Sequence, residues 1–215
     1  MLNLGLDAFA AGATVLCLGA HCDDIEIGCG ATLVRLAREY PSLRFEWVVF
    51  AGDERRQAES RAAADALLGS SPHSVDFLGF RESYLPAQYA QVKDAFEALK
   101  SRPMPRIVFT HWLQDRHQDH RVLAELTWNT FRSQLVVEYE IPKFEGDLGQ
   151  PNFFVPVTPA DLDRKVDTLM RCFPSQLGRS WFTGETFRAL ARIRGIECVA
   201  PGGYAEAFHV RKVVV

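Results

Sequence analysis

Two short segments hold residues whose types suit metal-assisted hydrolysis. The first is Ala20-His21-Cys22-Asp23-Asp24-Ile25-Glu26-Ile27-Gly28-Cys29-Gly30, with a histidine and three acids close together. The second is His111-Trp112-Leu113-Gln114-Asp115-Arg116-His117-Gln118-Asp119-His120, which carries three of the chain's six histidines. Imidazole and carboxylate together bind zinc in hydrolases, where three protein ligands leave a position open for water. The ion lowers the pKa of that water to about 7. The reaction also needs a base for the water proton and a group to stabilise the oxyanion. The two segments contain residues for every role. A single histidine or aspartate at such a place reads equally well as a cap or turn residue; the clustering argues for a site.

Both segments follow expected strands. Thr14 to Gly19 is a short apolar run ending in glycine and reads as a buried strand. Further strands are expected at Phe45 to Phe50, Val75 to Leu78, Ile107 to Thr110 and Leu135 to Tyr139. They alternate with helices at Ala31 to Glu39, Glu54 to Leu68, Gln88 to Lys100 and Val122 to Phe131. This alternation predicts an α/β three-layer sandwich, a mostly parallel sheet with helices on both faces. Such sheets bind ligands beyond the carboxyl ends of their strands, where both segments fall. Residues 142 to 156 read as a long loop, Asp161 to Phe173 and Thr186 to Arg194 as helices, and Phe208 to Val215 as a closing strand. Gly28-Cys29-Gly30 lacks the full dinucleotide fingerprint, because Leu33 takes the place of the last glycine. It reads as a tight turn that lets strand and helix approach.

Composition narrows the function classes. The chain has 215 residues, a net charge of -3, 47% hydrophobic and 24% charged residues. One domain of this size buries a full core without staples. No basic face is built for nucleic acid. Asp53-Glu54-Arg55-Arg56 reads as a solvated helix start. The five cysteines include no C-x-x-C pair, which fits a reducing compartment rather than a disulfide framework. The start of the chain lacks the pattern of a signal peptide, and the apolar runs are shorter than the roughly 20 residues that span a bilayer. A cytoplasmic protein with no integral membrane segment, acting on a small molecule, is expected.

The patterns A-H-C-D-D and H-Q-D-H resemble the A-H-P-D-D and H-x-D-H motifs of the LmbE-like, PIG-L deacetylases. The likeness continues in order along the chain. It includes the I-E-I-G-C-G-A-T-L stretch, an R-x-x-E from Arg56 to Glu59, Lys165 with Ser175-Gln176, and Ala205-Glu206-Ala207-Phe208 as A-E-x-F. The resemblance implies a Rossmann-like fold and a zinc-dependent amidase. Its substrate would be an N-acetyl amino sugar carried on inositol, malate, lipid or antibiotic cores. It implies His21, Asp24 and His120 as ligands of Zn2+, a set that also accepts Fe2+. By the same resemblance Asp23 is the general base, and His117 stabilises the oxyanion or protonates the leaving amine. Asp119 orients His117 or a ligating histidine. The resemblance also favours a homo-oligomer. The chain departs from the pattern at Cys22, where proline is usual; Cys22 reads as a small packed residue.

Weaker signals concern the substrate. Arg81 and Glu82 could hydrogen-bond sugar hydroxyls and Tyr84 could stack on a ring. Tyr139 and Glu140, at the end of the fifth strand, face the same choice between substrate contact and structure, with Lys143 a fainter candidate. His111 lies outside H-x-D-H and reads as a packed histidine, as Trp181 reads as a packing residue. Two competing functions are a non-catalytic nucleotide- or sugar-binding module and a metal hydrolase of another bond, such as a formamide. The first leaves His21, Asp24 and His120 without a role; substrate panels separate the second.

Overall fold

The apolar run Thr14–Gly19 forms the central strand, β1. Its side chains alternate between two cores, as the period of two in a strand requires. Val15 and Cys17 pack into one core and Leu16 and Leu18 into the other. The structure, a computed structural model, describes residues 12–213. After β1 come α1 (Asp24–Glu39), β2 (Arg44–Ala51), α2 (Glu54–Leu68), β3 (His73–Phe80), a 3-10 turn (Leu85–Gln88), α3 (Tyr89–Lys100) and β4 (Ile107–His111). The chain continues through α4 (Gln118–Thr130), β5 (Leu135–Tyr139), β6 (Phe153–Val157), α5 (Pro159–Cys172), α6 (Gly184–Glu197) and β7 (Tyr204–His209).

The strands form one sheet in the order β3-β2-β1-β4-β5-β7-β6. The first five are parallel, and β7 runs antiparallel to both β5 and β6. Helices α1, α2, α5 and α6 cover one face and α3 and α4 the other. This is the expected three-layer α/β sandwich. From β1 the chain moves outward to β2 and β3, then returns to place β4 and β5 on the other side. The crevice beyond β1 and β4 is therefore a topological switch point, where such sheets bind ligands. Among the described residues no helix is long and apolar enough to cross a membrane.

Four elements differ most from expectation. Helix α1 starts at Asp24, not Ala31, and contains Gly28-Cys29-Gly30. The close approach inferred from these glycines is real at Gly28, where a Cβ would run into the Tyr139 ring. Ala31 still carries a mark of a helix start. The N–H groups of Ala31 and Thr32 donate to the Glu206 carboxylate at 3.1 and 2.6 Å. Lys165 Nζ donates to Ile27 O and to Glu206, both at 2.6 Å. An anion on N–H groups and a cation on a carbonyl are the partners that helix termini attract; here they act within a helix. The pair joins α1, α5 and β7, and both side chains are buried. Lys165→Met leaves Glu206 buried without its cation and is expected to cost about 3–5 kcal/mol, read from urea melts. A loss below about 1 kcal/mol would show the pair to be incidental.

The 142 to 156 loop ends in a strand, β6, hidden from sequence by Pro156. Proline is tolerated there because β6 is an edge strand. The closing strand is Tyr204–His209 rather than Phe208–Val215. Its last pairs are His209 with Glu138 of β5 and Phe208 with Phe153, the first residue of β6, and residues 214–215 lie outside those described. Helix α4 opens at Gln118, four residues ahead of Val122, which brings Asp119 and His120 into its first turn.

Candidate metal centre

His21 follows β1, Asp23 occupies the N-cap position of α1, and Asp24 opens that helix. His117 is the N-cap of α4 and His120 lies one turn further on. The switch point brings these side chains together. His21 Nδ1 lies 3.3 Å from His120 Nε2 and 3.3 Å from Asp24 Oδ2. His120 Nε2 lies 3.5 Å from Asp24 Oδ1. Ligands at 2.0–2.2 Å from a tetrahedral ion are separated by about 3.3–3.5 Å, so the triangle has the right size.

The hydrogen-bond partners fix the protons. His120 Nδ1 donates to Asp115 Oδ2 at 2.9 Å, which leaves a lone pair on Nε2. His21 Nε2 donates to Asp119 Oδ2 at 3.2 Å, which turns Nδ1 inward. A carboxylate behind each ligating imidazole is the usual support of a metal site. Two imidazole nitrogens and a carboxylate thus converge in a buried space, and only a cation satisfies all three. Without a metal that cation is a proton. Burial works against charge on His21, but Asp24 and Asp119 outweigh it and raise its pKa to about 10. Burial, helped by His111, holds His120 down at about 3. Burial also opposes the charge on Asp24, yet the imidazoles of His120, His111 and His21 keep it well below the usual carboxylate range. A proton serves one contact of the triangle; a divalent ion serves all three, so the residues fit a metal.

Asp119 backs His21 rather than His117. It also accepts the N–H groups of Ser83 at 2.6 Å and Leu85 at 3.1 Å, tying the loop after β3 to the site. His117 Nδ1 accepts the Asp119 N–H at 3.3 Å, so its proton is on Nε2. Burial and the nearby His21 lower the His117 pKa and keep the ring neutral. Asp23 is buried, and its Oδ1 accepts from Arg56 Nη2 at 2.7 Å. Burial raises the Asp23 pKa and Arg56 opposes the rise. Arg55 is solvated as expected, but Arg56 is buried against Asp23. Arg56 and Asp115 are therefore site residues to which sequence reading assigned no such place.

His21, Asp23, Asp24, Arg56, His117 and His120 line an open cleft, walled by Ile141, Phe144 and Trp181 and reached by Glu82. Glu82 lies 3.7 Å from Arg56 Nη1. Of the other expected substrate contacts, Arg81, Tyr84, Tyr139 and Glu140 are not brought to the cleft. Arg81 stacks on Tyr84 at 3.6 Å. Tyr139 is a core residue whose hydroxyl donates to Leu18 O at 2.6 Å. Glu140 is buried, pairs with Arg194 at 2.8 Å and accepts the Gly149 N–H at 3.0 Å, closing the base of the loop that carries Phe144. Lys143 lines the cleft but bridges Asp115 and Asp147. Cys22 is packed against Gly52 and donates to Ala51 O at 3.5 Å. Burial pushes its thiol pKa up, in keeping with a small packed residue.

Residues 16–131, which include both site segments, match the PIG-L family, described as GlcNAc-PI de-N-acetylase. The chain belongs to this family. It is 32% identical over 141 residues to the uncharacterized deacetylase YaiS of Escherichia coli (strain K12), covering 60% of this chain and 74% of YaiS. Among solved structures it is similar to the N,N'-diacetylchitobiose deacetylase of Pyrococcus horikoshii. There the TM-score is 0.67 at 22% identity, covering 93% of this chain and 84% of that one. It is also similar to GalB, the 4-carboxy-2-hydroxymuconate hydratase of Pseudomonas putida KT2440. That TM-score is 0.73 at 17% identity, covering 94% and 98% of the two chains. The structural likenesses speak to the fold, which hosts more than one chemistry. Family membership makes this chain a hydrolase of the de-N-acetylase kind.

Proposed function

We propose that this enzyme removes an N-acyl group, acetyl in the first instance, from an amino sugar or amino-sugar conjugate. In this reading His21, Asp24 and His120 hold Zn2+, or Fe2+ in its place. The observation that carries it is the buried triangle of lone pairs with Asp23 beside it. A divalent ion there supplies Lewis acidity, which acidifies water and polarises a carbonyl. The chain's own groups do the rest. Arg56 engages one oxygen of Asp23 and leaves the other for a water proton. The hydroxyl adds to the acyl carbon as Asp23 takes that proton. His117, protonated on Nε2, donates to the oxyanion. The C–N bond then breaks, the amine leaves with the proton Asp23 took, and the acyl group departs as a carboxylic acid that gives its proton to the solvent. In this reading Glu82, which lines the cleft, meets sugar hydroxyls.

The test is a panel of N-acetylglucosamine conjugates differing in the carried group, incubated with protein reconstituted anaerobically with Zn2+ or Fe2+. Acetate and primary amine are expected in equal amounts from at least one conjugate. Cleavage of a formamide or phosphoester with no acetate from any conjugate would sink the amino-sugar reading.

A further inference from the structure

His111 is fully buried and belongs to neither motif. Its Nε2 accepts the Ala20 N–H at 3.0 Å. The next amide, His21 N–H, goes to Asp24 Oδ2 at 2.7 Å. Two consecutive amides are held by two acceptors, which lie 3.2 Å apart. The His111 ring also stacks on His120, with centroids 3.8 Å apart and planes 17° from parallel. One imidazole therefore touches the peptide entering His21, the Asp24 carboxylate and the His120 ring, an arm of each corner of the triangle.

We infer that His111 is a positioning residue for the metal, holding all three ligands without being one. Its distances alone would admit it as a ligand, since Asp24, His111 and His120 offer atoms within 4.8 Å of one another. The direction of its lone pair decides otherwise. Nε2 is engaged by the Ala20 amide, and one lone pair cannot serve an N–H and a metal together. Tyr139 does not compete, because its hydroxyl, 3.3 Å from Nε2, donates to Leu18 O. With Nε2 accepting, the ring proton is on Nδ1, which is buried and has no partner among the described residues. An unmatched buried donor costs about 1–3 kcal/mol. A phenylalanine would fill the same space and stack on His120 without that cost. What the histidine adds is the acceptor that fixes the turn ahead of His21.

The inference rests on the metal centre proposed above, and the test separates the two. Zinc affinity is measured by chelator competition for wild type, H111F and H111Q, with near-UV circular dichroism of each metal-free protein. H111F is expected to remain folded and bind zinc about 10- to 100-fold more weakly, the usual cost of losing a residue that supports ligands. H111Q, whose side-chain carbonyl can accept the Ala20 N–H, is expected to recover most of the loss. In wild type, 15N NMR should show His111 Nε2 unprotonated and nearly unmoved by zinc while His120 Nε2 shifts strongly. H111F affinity within about threefold of wild type, or H111Q no better than H111F, would overturn the inference. So would a His111 Nε2 resonance that is protonated or moves with His120. The NMR arm needs no variant, so it decides the matter even where H111F fails to fold. A wild type that binds no zinc would instead remove the metal centre itself.

Discussion

Purified D23N protein is expected to keep its full complement of metal and to lose about 100- to 10,000-fold in turnover, the range a positioned general base supplies. Asp23 stands next to Asp24 at the start of α1, so a disruptive change there would disturb ligand and base together. Asparagine avoids this. Its side-chain carbonyl can still accept from Arg56, and it suits the N-cap position. The wild-type carboxylate makes no capping bond; it turns to Arg56 instead. What asparagine cannot do is take a proton. Burial makes Asp23 more basic than an ordinary aspartate, and Arg56 limits the rise, so the group can hold charge and still accept a proton. Elemental analysis beside an acetate-release assay reads both halves of the expectation. Full activity in D23N would place the base elsewhere, and loss of metal would make Asp23 a ligand.

The sheet and its helices were legible because buried parallel strands read as apolar runs between breakers, as Thr14–Gly19 and Ile107–His111 do. The start of α1 was not, since Gly28-Cys29-Gly30 has the composition of a turn, whereas Gly28 is set by the Tyr139 ring, which leaves no room for a Cβ. Strand β6 was hidden by Pro156, which is harmless only at an edge. The cluster around His21, Asp24 and His120 was legible because both of its segments sit at strand ends of one switch point. The strand-end rule failed for Tyr139, whose side chain points from β5 into the core beneath α1. It failed for Glu140 because Arg194, distant in sequence, claims that carboxylate. Arg56 was misread for a similar reason: its partner Asp23 lies on another element. Asp115 had a usable signal. Each ligating imidazole needs an acceptor on its other nitrogen, and the segment from His111 to His120 carries two acids, Asp115 and Asp119, for two histidines.

The anionic corner of the triangle is Asp24, and D24A is expected to abolish both metal binding and acetate release. His120 is neutral and His21 must shed its proton to bind an ion, so the carboxylate supplies the attraction for a divalent charge. It also accepts the His21 N–H, so its loss frees the turn that aims His21 inward. Elemental analysis should find about one equivalent of zinc or iron in wild type and none in D24A. Thermal melts give an independent reading. Free zinc at 100 times its dissociation constant stabilises a folded protein by about 2.7 kcal/mol, so wild type should melt higher with zinc and D24A should not respond. A D24A protein that kept its metal would put the ion among His21, His117 and His120, whose ring nitrogens also lie within 4.8 Å of one another. His117 would then be a ligand, and the oxyanion would need another donor.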